Sequence, residues 1–126
     1  MCINVWRAIS APPQDFPLAV CDARSLATTR PLTTYLITTD RIPDDMSKRA
    51  ELLDGPVASE ASLFPYNEDQ RWWYFSDMTA DEMLALVLYD SDKGDSGRVP
   101  HTAFANDRED AISRESVEMR CVLYFH

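Results

Sequence analysis

From Val117 onward a run of apolar residues recurs at every second position. Val117, Met119, Cys121, Leu123 and Phe125 hold the odd positions, while Arg114, Ser116, Glu118 and Arg120 hold even ones. A period of two predicts a half-buried strand whose odd face packs into a sheet core. Its even face then presents two guanidiniums, a hydroxyl and a carboxylate together. His101, thirteen residues ahead of Arg114, would reach this face from the preceding strand or loop. Such a surface suits a small carboxylate beside a metal.

The rest of the chain reads as further short strands joined by long loops. Ile3 to Ile9 predicts a strand with Ile3, Val5, Arg7 and Ile9 on one side and Asn4 and Trp6 on the other. Pro12, Pro13 and Pro17 then break the pattern, and Pro17 to Ser25 reads as a connector packed on the core. Thr33 to Thr39 is β-branched and aromatic, a second strand, followed by a polar stretch from Asp40 to Asp69 in which Lys48 to Asp54 could make one or two helical turns. Arg71 to Phe75 is a strand by its aromatic content, although core and loop packing outweighs a substrate platform as its role. Thr79, three residues before Glu82, gives a capping-box signal for a short helical turn. The apolar run Met83 to Asp90 could extend that helix, but the turn-rich SDKGDSG after it favours a buried strand from about Leu86. The expected class is all-β or a β-rich sandwich, with short helical turns and long loops.

Length and charge narrow the function classes. At 126 residues and 45% hydrophobic content the chain is one domain at most, with no composition break to divide it. Twelve basic against 21 acidic residues give a net charge of -9, which argues against nucleic acid or an anionic membrane as a general partner. No stretch approaches the ~18 apolar residues of a spanning helix, and Met1 to Trp6 lacks the pattern of a secretory signal. A soluble, cytoplasmic protein is expected. Cys2, Cys21 and Cys121 are odd in number and widely spaced, so they read as buried or idle thiols rather than a disulfide or zinc framework.

Taken alone, His101 beside Pro100 is an ordinary loop histidine, and Arg114 and Ser116 could simply open a strand or helix with Arg114 paired to Glu118. Four blocks change that weighting: NVWRAI with PPQDFPLAVCDARS, RWWYFSDMTADEMLALVLYDSD, PHTAF, and SRESVEMR. In this order they resemble the AsaB-like hydroxylase/desaturase family, also labelled CmcJ/NvfI-like, of fungal and bacterial secondary metabolism. The resemblance covers about Ile3 to Phe125, with a divergent middle from Thr28 to Asn67.

The resemblance implies a double-stranded β-helix, the jelly-roll core of non-haem Fe(II) enzymes that use 2-oxoglutarate. It implies that His101 matches the distal iron ligand and that Arg114 with Ser116 grips the far carboxylate of 2-oxoglutarate, with Arg120 as a second candidate for the grip. Asn4 and Arg7 would lie on an adjacent strand, on opposite faces, Arg7 being the expected pocket residue if the Trp6 side is core. The family's other two iron ligands come from a His-x-Asp motif ahead of the NVWR block, and no His-x-Asp or His-x-Glu occurs in these 126 residues.

The expectation is therefore the C-terminal part of a jelly-roll oxygenase-like domain, 1–126, an oxidoreductase-family chain inactive alone and without a catalytic residue of its own. Its partner would be a small secondary metabolite. The alternative is a non-catalytic truncated module that self-associates, or pairs with a complementing chain, through an uncovered edge at its N-terminal strand.

Overall fold

A computed structural model describes the chain except residues 27, 28, 41–43, 46, 49–56, 95, 96 and 126. The expected helical turns over Lys48 to Asp54 fall almost wholly outside the described residues, as does His126. The regular structure of the described residues includes the 3-10 turn Ala23–Leu26 and the strands β1 Cys2–Ala8, β2 Leu18–Cys21, β3 Leu32–Ile37, β4 Val57–Leu63, β5 Trp72–Tyr74, β6 Leu84–Tyr89, β7 His101–Ala103 and β8 Ser116–Val122. The strands fall into two compact units, one of residues 1–28 with 68–126 and one of residues 29–67. No helix among the described residues is long and apolar enough to cross a membrane.

The larger unit holds two three-stranded sheets, in the orders β6-β1-β8 and β5-β2-β7, antiparallel throughout. Neither sheet closes on itself. The smaller unit is the antiparallel pair β3-β4, with Leu32 opposite Leu63 and Tyr35 opposite Glu60. Strand β4, VASEASL, lies in the stretch expected to be polar loop. Its small and polar residues give no alternation of large side chains, so pairing with β3 rather than its own sequence reveals it.

β1 organises the larger unit because it is bonded on both edges. Asn4 stands opposite Leu86 on one side and Arg120 on the other, and Trp6 stands opposite Leu84 and Glu118. Directly opposed residues of an antiparallel ladder point to the same side. One face of this sheet therefore carries Asn4, Trp6, Ala8, Leu84, Leu86, Ser116, Glu118 and Arg120, and the other carries Val5, Arg7, Ala85, Val117 and Met119. Burial identifies the inner face: Asn4, Trp6, Ala8 and Leu86 are buried, while Arg7 is exposed. Trp6, Ala8 and Met78 form the core cluster, with Leu18 of the second sheet and Leu84 packed against it.

The structure corrects several expectations. β1 is a central strand, so the N-terminal edge expected to be uncovered is paired. The segment Pro17 to Ser25 is not a connector: it contains β2, the centre of the second sheet, which is too short at four residues to show a period. The capping-box residues close a turn without a helix. Glu82 Oε2 accepts from the Thr79 backbone N–H at 2.8 Å and hydroxyl at 3.1 Å, and the chain then enters β6 at Leu84 opposite Trp6. The aromatic run around β5 is not core, because Trp73 is 64% exposed. The odd face of β8 is not core either: Val117 and Met119 are 52% and 62% exposed, because among the described residues nothing covers that side of an edge strand. All three thiols are free, Cys21 buried and Cys2 and Cys121 half-buried.

Two polar clusters fix the loops around the sheets. The Arg24 guanidinium forks onto the Asp22 carboxylate, with its Nη2 at 2.7 Å, and holds that carboxyl down at about 2. Asp22 also donates its backbone N–H to Arg71 O at 2.8 Å, tying the end of β2 to the start of β5. Gln14, 2% exposed, donates its side-chain amide to Ser10 O and Met78 O, each at 3.3 Å.

With so few buried apolar side chains, Trp6→Ala should cost about 3–5 kcal/mol, close to the whole stability of a small domain. Urea unfolding is expected to lose its cooperative transition in that variant, whereas Tyr124→Ala, at a position 84% exposed, should leave the midpoint nearly unchanged.

Candidate functional site

The segment Ser10 to Phe16 lies against Ile112 to Glu115 and sets the position of Arg114. Ile112 N–H donates to Pro13 O at 2.9 Å, Asp15 N–H donates to Ile112 O at 2.8 Å, and Gln14 bridges to Ile112 in parallel. The Asp15 carboxylate then accepts from the Arg114 backbone N–H at 2.9 Å. Phe16 O accepts from the Arg114 Nη1 at 2.8 Å, and the guanidinium carbon lies 5.7 Å from the centre of the Trp6 ring. A guanidinium over an indole face is held electrostatically as well as by its hydrogen bond. The backbone bond, the Nη1 bond and the ring together hold the arginine, with Nη2 bearing no protein partner among the described residues.

Arg114 therefore meets the inner face of the first sheet. On that face Asn4 Nδ2 donates to Glu118 Oε2 at 3.0 Å, while Asn4 Oδ1 is buried and accepts nothing. A buried amide oxygen without a donor is costly in a folded protein and marks a place where a donor from outside the chain would be accommodated. Arg120 stands directly opposite Asn4 and has no hydrogen bond or ion pair among the described residues. Ser116 stands opposite the buried Ala8. Arg7 is exposed on the outer face, opposite Val117, so Asn4 and not Arg7 shares a face with the Arg114 group. The reason is register: the Trp6 face is the core face and also the face to which the even residues of β8 belong.

His101 begins β7 on the second sheet, opposite Val20, and Leu18 stands opposite Ala103. Leu18 packs on the Trp6 cluster, and Val20, two residues on, shares its side of the strand. By register His101 and Trp73, both opposite Val20, share the side of β2 that carries Leu18, while the buried Ala19 and Cys21 lie on its other side. His101 Nδ1 lies 3.0 Å from Val99 O. A carbonyl can only accept, so Nδ1 carries the proton, and in the neutral ring Nε2 is left with its lone pair, the form in which imidazole binds a metal.

One such nitrogen does not make an iron site. Among the described residues no three His, Cys, Asp or Glu side chains come together in a group that could hold a metal. His101 is the right kind of donor in the right tautomer, but the described residues do not by themselves fit an Fe(II) centre. Gln14 and Asp15 are the residues that sequence reasoning missed. They sit in the PPQDF part of a block that resembles the family, but their role depends on contacts made about a hundred positions away, which no local pattern signals.

The comparisons agree with this fold. A family model described as "Oxidoreductase/YMDC permease-like domain" matches residues 1–124, and the chain belongs to that family. It is 38% identical to the hydroxylase/desaturase asaB of Aspergillus flavus, over 98% of this chain and 54% of that protein. It is 32% identical to the Fe(II)/2-oxoglutarate-dependent dioxygenase nvfI of Aspergillus novofumigatus, over 96% of this chain and 39% of that protein. The solved structure of the iron and alpha-ketoglutarate-dependent endoperoxidase NvfI superposes with a TM-score of 0.68 at 28% identity, over 94% of this chain and 40% of that one. The architecture is a β-rich, unclosed jelly roll, and the chain spans about half or less of the length of these relatives.

If Asp15 orients Arg114, Asp15→Ala should speed hydrogen exchange of the Arg114 amide and cost about 1.5–3 kcal/mol, the range for a hydrogen bond to a charged group. Exchange followed by NMR together with urea unfolding reads both effects. An unchanged Arg114 amide would show that Phe16 O and Trp6 suffice.

Proposed function

We propose that residues 1–126 form the C-terminal, oxo-acid-binding part of an Fe(II)/2-oxoglutarate-dependent hydroxylase or desaturase acting on a small secondary metabolite. Arg114 and Ser116 take the far carboxylate of 2-oxoglutarate, and His101 supplies one imidazole to the iron. The observation that carries this reading is the held guanidinium of Arg114, anchored through Nη1 to Phe16 O and stacked on Trp6. A planar fork with one end anchored offers its other end to a carboxylate with little further ordering, and a serine hydroxyl nearby adds a third hydrogen bond. Asn4, with its amide oxygen unsatisfied on the same face, is placed to accept from a ligand donor. Arg120 is the second cation of that face.

Iron bound by one imidazole is not held against water, so the 126-residue chain is expected not to turn over by itself. Turnover would need a further polypeptide segment to supply the remaining ligands. A non-catalytic module is the second reading. The single imidazole among the described residues and the uncovered odd face of β8 favour it, and it keeps the same anion-binding face.

Calorimetric titration of metal-free chain with 2-oxoglutarate tests the proposal. Saturable binding is expected, lost in Arg114→Ala, weakened at least about tenfold in Arg114→Lys, which lacks the fork, and about fivefold in Ser116→Ala. Equal binding by Arg114→Ala, or no binding by the folded chain, would overturn the assignment of the grip.

A further inference from the structure

We infer that a second copy of this chain pairs antiparallel with the free edge of β8, making one continuous six-stranded sheet across a two-fold axis. The edge is open and its polarity is defined. Leu123 N–H donates to Met1 O at 2.8 Å, the Met1 ammonium donates to Leu123 O at 3.0 Å, and Ile9 N–H donates to Glu115 O at 2.8 Å. Odd-numbered residues of this strand therefore turn their backbone groups toward β1. Ser116, Glu118, Arg120 and Val122 turn theirs outward, where no strand among the described residues pairs with them.

Two outward-facing rows can bond only with even residues opposite even residues. In the register that places Met119 opposite the Met119 of the other copy, Glu118 stands opposite Arg120 twice, and Ser116 stands opposite Val122. On the other face Val117 stands opposite Cys121, and the two Met119 side chains meet on the axis. Both apolar residues, Val117 and Met119, are more than half exposed in the single chain. Slipping to the next register in either direction puts Glu118 opposite Glu118 or Arg120 opposite Arg120. Opposite charges across strands stabilise and like charges destabilise, so the charges on this edge select one alignment.

The two groups are available for this. Arg120 has no hydrogen bond or ion pair among the described residues, and Glu118 uses Oε2 for Asn4 and leaves Oε1 open. A closed two-fold contact of this kind is the usual way in which an identical edge is satisfied by its own copy. The inference does not need the 2-oxoglutarate reading, because it rests on the backbone edge and on the Glu118–Arg120 pairing and makes no use of Arg114; Arg120 and Ser116 enter both.

Sedimentation equilibrium of the full chain tests it, with circular dichroism to confirm folding. A concentration-dependent dimer is expected. Glu118→Arg and Arg120→Glu should each weaken it by roughly tenfold or more, and the double variant carrying both reversals should restore it. Should a single reversal unfold the chain, Met119→Cys gives an independent reading: mild oxidation should link two chains through position 119, where side chains of a non-hydrogen-bonded pair approach closely. A folded monomer at the highest soluble concentration, open-ended aggregates in place of a dimer, a double variant no better than the single ones, or failure of the position 119 link would each overturn the inference.

Discussion

The structure depends on β1 being hydrogen-bonded along both edges. A strand with neighbours on each side cannot slip by one residue without turning its whole inner face outward. Trp6 and Ala8 on that face anchor the core together with Met78, so the register of β1 fixes at once which residues of β6 and β8 look inward. Ser116, Glu118 and Arg120 reach the inner face through this pairing and not through burial of their own strand. The same constraint puts Arg7 outside.

The second sheet carries the imidazole. β2 carries Leu18 onto the Trp6 cluster and, two residues further, Val20 opposite His101. Arg114 is held from a third direction by the loop Ser10 to Phe16, whose shape rests on the buried amide of Gln14. The described residues thus offer one anchored guanidinium, one imidazole in a metal-binding tautomer and one unsatisfied amide oxygen. The first suits a carboxylate, the second suits a metal that other ligands must help to hold, and the third suits a hydrogen-bond donor.

Much of this was legible in the sequence, for identifiable reasons. The period-two patterns of Ile3 to Ile9 and Val117 to Phe125 overlap strands β1 and β8, the second running three residues past the observed end at Val122, because long alternating segments carry a strong local signal. The aromatic run at Arg71 to Phe75 and the apolar run before Asp90 also became strands. β2 and β4 were illegible because one is four residues long and the other lacks large side chains, so their pairing is decided by partners distant in sequence. The alternation of β8 predicted a buried odd face, but alternation says which residues share a face and not whether anything covers it. The divergent middle, Thr28 to Asn67, corresponds closely to the separate unit 29–67. At the site, Arg114, Ser116, Arg120 and Asn4 share one face, whereas the choice of Asn4 over Arg7 needed the observed register. The support from Gln14 and Asp15 had no sequence signature, since a buried glutamine or a capping carboxylate in a proline-rich loop resembles any turn residue.

The central claim is that the inner face built on Asn4, Trp6 and Arg114 is the anion-binding face of an oxygenase-type jelly roll. The most direct measurement is the change in backbone and indole NMR shifts of the metal-free chain on adding 2-oxoglutarate. The account predicts the largest changes at Asn4, Trp6, Phe16, Arg114 and Ser116. Changes centred instead on Arg7, Val117 and Met119 of the outer face would contradict it.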